Sequence, residues 1–429
     1  MSEDRTSAPG TPPSPFNRTV QHDAKRLAIL SQAARLFNYK GSRATTLKDI
    51  AEKLGLTKTS LYYYVKTKEE LIYQCYMAAL DYHHSILDMV EANHSAPADR
   101  LREFFLQQFD NWMAASEGRG PHIAALLEIA SLRGTHRQEV EAQYIAMFKR
   151  LRQYLRDGMA DGSFRTLEPT ATTRALLGSL DWAFSWLHEI PPEQLHSTAG
   201  KAVDILTRGL FGGRGEYVPA SLDIGESGSR PLEGFNREQQ NRLKQDAFYK
   251  TGTWLFNKKG FDGTSLDEIA EQLHVSKGAF YYHIRNKEDL LFNCYNRSLD
   301  IVENIHEQAA QIRGTGLEKV EQTCRRIFYF QNSGDGPLIR YSSITALPMP
   351  RRREILKRTD AANECFGNFL REGMEDGSVR QIDSFIAQNL IAGAVNASME
   401  LNLWRKLDNV DAAAIDYFDI FFNGLLPRK

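Results

Sequence analysis

The sequence is poor in cysteine, in long apolar runs and in alternating patterns, and each shortage removes a class of protein. Its four cysteines (Cys75, Cys294, Cys324, Cys365) lie far apart, with no CxxC pair and no histidine at metal-ligand spacing. They read as reduced thiols, not as a disulfide frame or a zinc site, and neither metal nor cofactor is expected. No run reaches the roughly 18 apolar residues of a membrane span, and Met1–Arg18 lacks the apolar centre of a secretory signal, so the cytoplasm is the expected location. Alternation of apolar and polar residues is nowhere long enough for a convincing strand. Catalytic signatures are missing as well: there is no nucleophile elbow, phosphate loop, HExxH or dinucleotide glycine pattern, and the expectation is a protein that is not an enzyme. His83 and His84 are adjacent on one long helix and point in different directions, so they cannot clasp one metal.

What is present is a chain of 429 residues, 42% hydrophobic and 25% charged, which is ample for two or more globular domains. A formal net charge of −1 excludes a nonspecific nucleic-acid coat but leaves room for a local basic face.

The chain is a duplication. Ala34–Leu71 aligns without gaps on Thr253–Leu290, with 17 of 38 positions identical at an offset of 219. LRDGMADGSFR (Leu155–Arg165) matches LREGMEDGSVR (Leu370–Arg380) at eight of 11 positions, at an offset of 215. The order is the same in both halves, so whole domains were copied. Between the copies Gly212–Phe235, rich in Gly, Ser and Pro, reads as a linker spanning on the order of 25 Å. Residues 1–17 read as a disordered tail. The expected division is therefore a first helix-turn-helix domain at 18–70 with a helical body at 71–211, and a second at 236–289 with its body at 290–429. Apolar residues recur every three or four positions, which predicts an all-α fold with first-half helices near 22–40, 46–54, 58–64, 67–93, 98–116, 121–133, 136–160, 168–189 and 198–211.

Cap chemistry places two short helices in each repeat. Thr46 and Thr67 are each followed three residues later by an acid, as are Ser265 and Asn286. Between the first two starts, Ile50, Ala51 and Leu54 form an apolar face, Gly55 permits a tight turn, and a second short helix opens after Thr57. This is the geometry that sets a helix into the major groove. The second copy has His274 where the first has Gly55, so its turn lacks the residue best suited to positive φ. Lys25–Lys68 carries ten Lys or Arg against two acids, and Arg242–Lys287 eight against five. In a nearly neutral chain, such localisation is the footprint of phosphate neutralisation.

With these residues in view, LFNYKGSRATTLKDIAEKLGLTKTSLYYYVKTKEEL and LFNKKGFDGTSLDEIAEQLHVSKGAFYYHIRNKEDL each resemble the N-terminal DNA-binding domain of the TetR family. The resemblance covers about 50 residues of each half and implies two tandem TetR-like units. It implies phosphate contacts from Thr45, Thr46, Thr264 and Ser265 at the start of helix two. It places Lys58, Thr59, Ser60, Tyr63 and Tyr64, with Lys277, Gly278, Ala279, Tyr282 and His283, on recognition helices. Lys68 and Lys287 match a phosphate-binding lysine, and Tyr62 and Tyr281 are half core, half contact in such proteins. Gly278 and Ala279 in place of Thr59 and Ser60, with the weaker charge, suggest a less discriminating second reader and an asymmetric operator.

The family also implies a regulator, typically a repressor released by a small-molecule effector, whose last two long helices pair into a four-helix interface. The matching stretches are 168–211 and 383–424, where Gly178, Ser179, Gly393 and Ala394 would allow close approach. One chain holding both units can pair with itself, placing its recognition helices about 34 Å apart; a homodimer with four readers is the other arrangement. Candidate pocket residues are Phe104, Phe105, Phe109, Trp112, Met147, Phe148 and Trp182 in the first half, and Phe328, Tyr329, Tyr341, Met349 and Phe366 in the second, although aromatic stripes at helical spacing are more often core. Arg351–Arg358, RRREILKR, reads as a solvated helix start or a phosphate site. A helical scaffold for protein partners, its DNA readers degenerate, is the alternative function.

Overall fold

A computed structural model describes residues 15–222 and 237–428. Most of the expected tail, residues 1–17, and the later part of the expected linker lie outside the described residues.

The first reader is α1 (Pro15–Lys40), α2 (Leu47–Lys53) and α3 (Lys58–Tyr64). Its body is α4 (Lys68–Asn93), α5 (Pro97–Ser116), α6 (Gly134–Ala160), α7 (Pro169–Asp181) and α8 (Leu195–Arg208). The second half repeats the order with α9 (Arg237–Lys259), α10 (Leu266–Gln272), α11 (Lys277–His283), α12 (Lys287–Ala310), α13 (Gly316–Asn332), α14 (Met349–Asp376), α15 (Ser384–Ala397) and α16 (Val410–Asn423). Among the described residues there is no strand, only an isolated bridge between Phe211 and Val379. No described helix is long and apolar enough to cross a membrane.

The expected caps are in place. Thr46 and Asp49 form a reciprocal capping box on α2, while Thr57, Ser265, Ser276 and Asn286 each accept a backbone N–H three residues on. Gly55 sits at φ +63° and His274 at φ +53°, so both copies keep the same left-handed turn although only one has the residue that adopts it freely.

Two expected helices differ. The stretch 121–133 is extended before a 3₁₀ turn at Leu126–Ser131. Its backbone is claimed by α1: the amides of His122 and Ala125 donate to Ser31 Oγ and Asn38 Oδ1, and Asn38 Nδ2 donates to the Ile123 carbonyl. The expected 168–189 helix ends at Asp181 and continues as 3₁₀ turns, which drop Trp182 and Trp186 into the core.

The halves pair through α7, α8, α15 and α16. A Cβ on Gly178 would fall 2.5 Å from the Ala397 Cβ, and one on Gly393 would fall 2.6 Å from the Gly178 carbonyl oxygen, so this close approach requires both glycines. Ser179 Oγ donates to the Leu390 carbonyl at 2.7 Å, and Tyr417 OH donates to that of Ala394 within the second half at the same distance. One apolar core runs without interruption from the first reader through both bodies, and the second reader keeps a core of its own around Phe256, Phe280 and Leu290.

Part of the expected linker is held tightly. Gly212 N–H donates to the Ser378 carbonyl, and Tyr217 exchanges two hydrogen bonds with Asn423. The Ala220 carbonyl meets Arg325, a buried arginine that also pairs with Glu321 and, through two nitrogens, with Asp411.

Candidate DNA-reading surface and ligand cavities

Each reader is built so that one buried residue anchors its short second helix and the rest face outward. Leu61 and Phe280 are the anchors. Around them Lys58, Thr59 and Ser60, and in the second copy Lys277, Gly278 and Ala279, are exposed. Tyr63 is 72% exposed and Tyr282 85%, a position for large aromatic rings that folding alone does not explain. Tyr62 is half-buried with Lys58 Nζ 5.5 Å from its ring centre, and Tyr64 packs on His22. His283 is half-buried between Phe248 and Tyr282. The Ser60 hydroxyl is paired with Thr57 Oγ1.

Thr46 and Ser265 are exposed N-caps, but Thr45 and Thr264 correct the expectation of phosphate contacts from their side chains. Both are buried, their hydroxyls donating to the carbonyls of Gly41 and Gly260 that close α1 and α9. Lys68 and Lys287 are half-buried, donating to the carbonyls of Arg43 and Thr264 in the turns before α2 and α10.

The two readers differ in a way that residue-by-residue matching did not single out. Lys48 in α2 corresponds to Asp267 in α10. Asp267 takes Lys277 Nζ at 2.6 Å and accepts from Tyr281 OH, and these bonds hold its carboxyl below the usual range. The charge swap thus occupies the lysine that opens the second short helix, whereas among the described residues Lys58 meets the Tyr62 ring and no acid. The readers also touch: the Arg43 guanidinium lies 4.1 Å over the Phe261 ring and 3.8 Å from both Asp262 and Glu288.

Behind the first reader is a cavity of about 90 Å³, lined by Asn38, His83, Phe109, Trp112 and Phe184 among others. A smaller, water-sized void is walled by Phe105, Phe109 and Trp186 with Leu390 of the second half. Three expected pocket residues, Phe105, Phe109 and Trp112, therefore border cavities at the edges of the first body, while Trp182 and Tyr341 line a cleft between the halves. The others are placed by packing. Phe104 and Phe328 are fully buried, Met147 lies in the same core, Phe148 stacks on Trp404 at 3.7 Å, and Phe366 abuts His306. Tyr329 lies edge-on to Phe330, and Met349 is exposed at the start of α14. Arg351 and Arg358 pair with Asp289, and with Asp300 and Glu303, so the RRREILKR run binds α14 to α12.

Sequence reading missed Asn38 and Asn257. They are equivalent, and Asn257 repeats the clasp by donating to the Leu338 carbonyl and accepting from Arg340 N–H. Their identity within the shared LFN string was the available signal. Among the described residues no group of three or more His, Cys, Asp or Glu is placed to hold a metal.

Two helix-turn-helix units with outward-facing basic and tyrosine side chains, each carried on a helical body, define a DNA-binding transcriptional regulator. Family models agree twice over: "Bacterial regulatory proteins, tetR family" matches residues 29–75 and 249–294, and "Tetracyclin repressor-like, C-terminal domain" matches 94–210 and 314–400. The chain belongs to the TetR family, in two tandem copies. It is 29% identical over 160 residues to the transcriptional repressor KstR2 of Mycolicibacterium smegmatis, a match covering 37% of this chain and 73% of that protein. It is 25% identical to the repressor DhaR of a Mycobacterium species over 187 residues, 41% of this chain and 89% of that one. Among solved structures, PfmR from Thermus thermophilus aligns at 27% identity and a TM-score of 0.34, over 40% of this chain and 94% of its own. AibR in complex with isovaleryl coenzyme A and operator DNA aligns at 25% identity and a TM-score of 0.35, over 41% and 96%.

Proposed function

We propose that one chain acts as a complete pseudo-dimeric repressor, its two readers addressing one asymmetric operator from which a small-molecule effector releases it. The observation that carries this reading is the seam of α7, α8, α15 and α16, where glycines from opposite halves meet at backbone distance. Thr46, Lys58, Thr59, Ser60, Tyr62, Tyr63, Tyr64 and Lys68 form the stronger reader, and Ser265, Lys277, Tyr281, Tyr282, His283 and Lys287 the weaker. Tyrosine rings meet sugars and thymine methyl groups, while amines and hydroxyls meet phosphates and base edges.

The effector binds at the hollow behind the first reader, where Phe109, Trp112 and Phe184 offer an apolar wall beside Asn38 and His83 and which must widen to admit it. Asn38 stands both in its wall and at the end of α1. A ligand that prefers a displaced 123–125 segment therefore shifts the equilibrium of reader positions, by no more than its difference in affinity for the two states.

Light scattering with and without DNA from the promoter of the gene itself tests the assembly. The expected mass is that of one 48.7 kDa chain, free and on a single operator. A stable particle of twice that mass on DNA replaces the pseudo-dimer with a four-reader homodimer. Absence of any shift at low salt removes the regulator reading in favour of a helical scaffold.

A further inference from the structure

The two halves are not symmetrically closed. On one face Gly41 is pressed so near the second body that a Cβ there would fall 2.0 Å from Thr345 Cγ2, and Arg352 donates to the Lys40 carbonyl at 3.2 Å. On the equivalent opposite face a Cβ on Gly260 would meet, among the described residues beyond its own helix and neighbours, nothing nearer than the Ser131 Cα at 3.9 Å, and Arg137, the counterpart of Arg352, turns to Glu141 at 2.7 Å. The hollow on the closed face is about 60 Å³, whereas the open face holds a cleft of about 850 Å³.

Three apolar side chains that folding leaves exposed line this cleft: Ile145 from the first half, and Trp254 and Leu403 from the second, Leu403 at 76%. Such a cluster is a binding feature more often than a solvated one. Trp182 is buried in its wall with an indole N–H that has no hydrogen-bond partner among the described residues, so a polar acceptor is wanted there. Charge sets the sign of the occupant. Arg137, Arg174, Lys258 and Arg340 stand against Glu141 and Asp181, each acid having one of the arginines within 4.0 Å. Lys258 Nζ lies 4.5 Å over the Trp254 ring at the rim.

We propose that this inter-half cleft binds one amphipathic organic anion per chain, its flat aromatic body between Trp254 and Leu403 and its anionic group toward Lys258. The proposal rests on the pseudo-dimer reading, since both halves supply the walls. It adds a site that shares Leu126 and Asp181 as a wall with the cavity behind the first reader but opens between the halves.

The test is fluorescence titration of the full chain with 8-anilinonaphthalene-1-sulfonate, an aromatic body bearing one sulfonate. Lys258→Glu and Leu403→Glu change exposed residues and are expected to weaken binding at one site per chain at least tenfold, with far-UV circular dichroism unchanged. Val218→Glu, at an 80% exposed apolar residue outside the cleft lining, is the control and is expected to titrate as wild type. Wild-type titration by both cleft variants, or an equal loss in Val218→Glu, overturns the proposal. Mobility shifts of Leu403→Glu without the probe keep the questions apart: DNA binding that persists while probe binding is unaltered sinks the cleft alone, whereas wild-type protein that binds no DNA sinks the regulator reading.

Discussion

Arg165 and Arg380 occupy equivalent places at the ends of the two DGSxR strings, and each fastens its own half to the other. Arg165 Nε donates to the Gly424 carbonyl at 2.7 Å and its guanidinium pairs with Asp419. Arg380 Nε donates to the Gly209 carbonyl at 2.6 Å and pairs with Asp204. The carbonyls belong to equivalent glycines that end α8 and α16 at φ +70° and +73°. A short repeat with no evident chemistry is thus a reciprocal clasp across the pairing seam.

Burial decides which clasp matters more. Arg165 is 7% exposed, and removing its side chain leaves the Gly424 carbonyl without its donor and Asp419 with Asn423 Nδ2 in place of a cation. Arg165→Ala is expected to destabilise the chain by about 3 kcal/mol, within the range for a broken buried pair. The Arg380 side chain is 23% exposed and partly hydrated, so Arg380→Ala should cost less, about 1 kcal/mol. Urea unfolding compares the two, and an equal or reversed order would show that burial does not govern the seam.

The turn of the second reader stores strain that the first avoids. His274 holds φ +53°, where a side chain costs on the order of 1 kcal/mol relative to glycine. His274→Gly is expected to recover about that amount, and Gly55→Ala, at φ +63° with open space around a Cβ, to lose a similar amount through backbone strain alone. Thermal unfolding monitored for both variants checks the pair of signs.

The proposed weakness of the second reader turns on Asp267. It draws Lys277 away from solvent anions and places a negative charge where the first copy has Lys48. Asp267→Lys is expected to raise operator affinity and to steepen its dependence on salt by about one phosphate contact, a slope change of roughly 0.9. The matching Lys48→Asp is expected to do the reverse. Unchanged salt slopes in both variants would place these helices away from the DNA backbone.

The readers were legible because their information is local. A hydroxyl three residues before an acid, an apolar triad and a turn residue are all read within one window, and duplication showed each twice. The 121–125 segment was not legible, because its backbone partners are Ser31 and Asn38, the latter 85 residues from Ile123. Helical periodicity could not reveal that a distant side chain takes these hydrogen bonds. Aromatic spacing also failed to separate Phe109, on a cavity wall, from Phe148, stacked in the core on Trp404 from the other half. That partner lies 256 residues away, and only the pairing of the halves brings it near.

Acid should weaken the fold through its buried histidines before most carboxylates titrate. His306 lies edge-on to Phe366 at 5.0 Å and near Phe369, and burial pushes its pKa down to about 4, with the Val302 backbone and then Glu303 opposing in part. Since the unfolded chain takes up this proton near pH 6.5, it binds more protons than the folded chain below that value. Stability therefore rises with pH between about 4 and 6.5 and falls as pH is lowered through that window. At pH 4.5 the histidine contributes a loss of about 2.5 kcal/mol relative to pH 7, an upper bound for one buried imidazole. His306→Leu removes that contribution while leaving the carboxylates as they are, so the difference in urea midpoints between variant and wild type should widen in favour of the variant as pH drops from 7 to 4.5. A difference that stays constant across that range would mean that the histidine is hydrated enough to titrate normally.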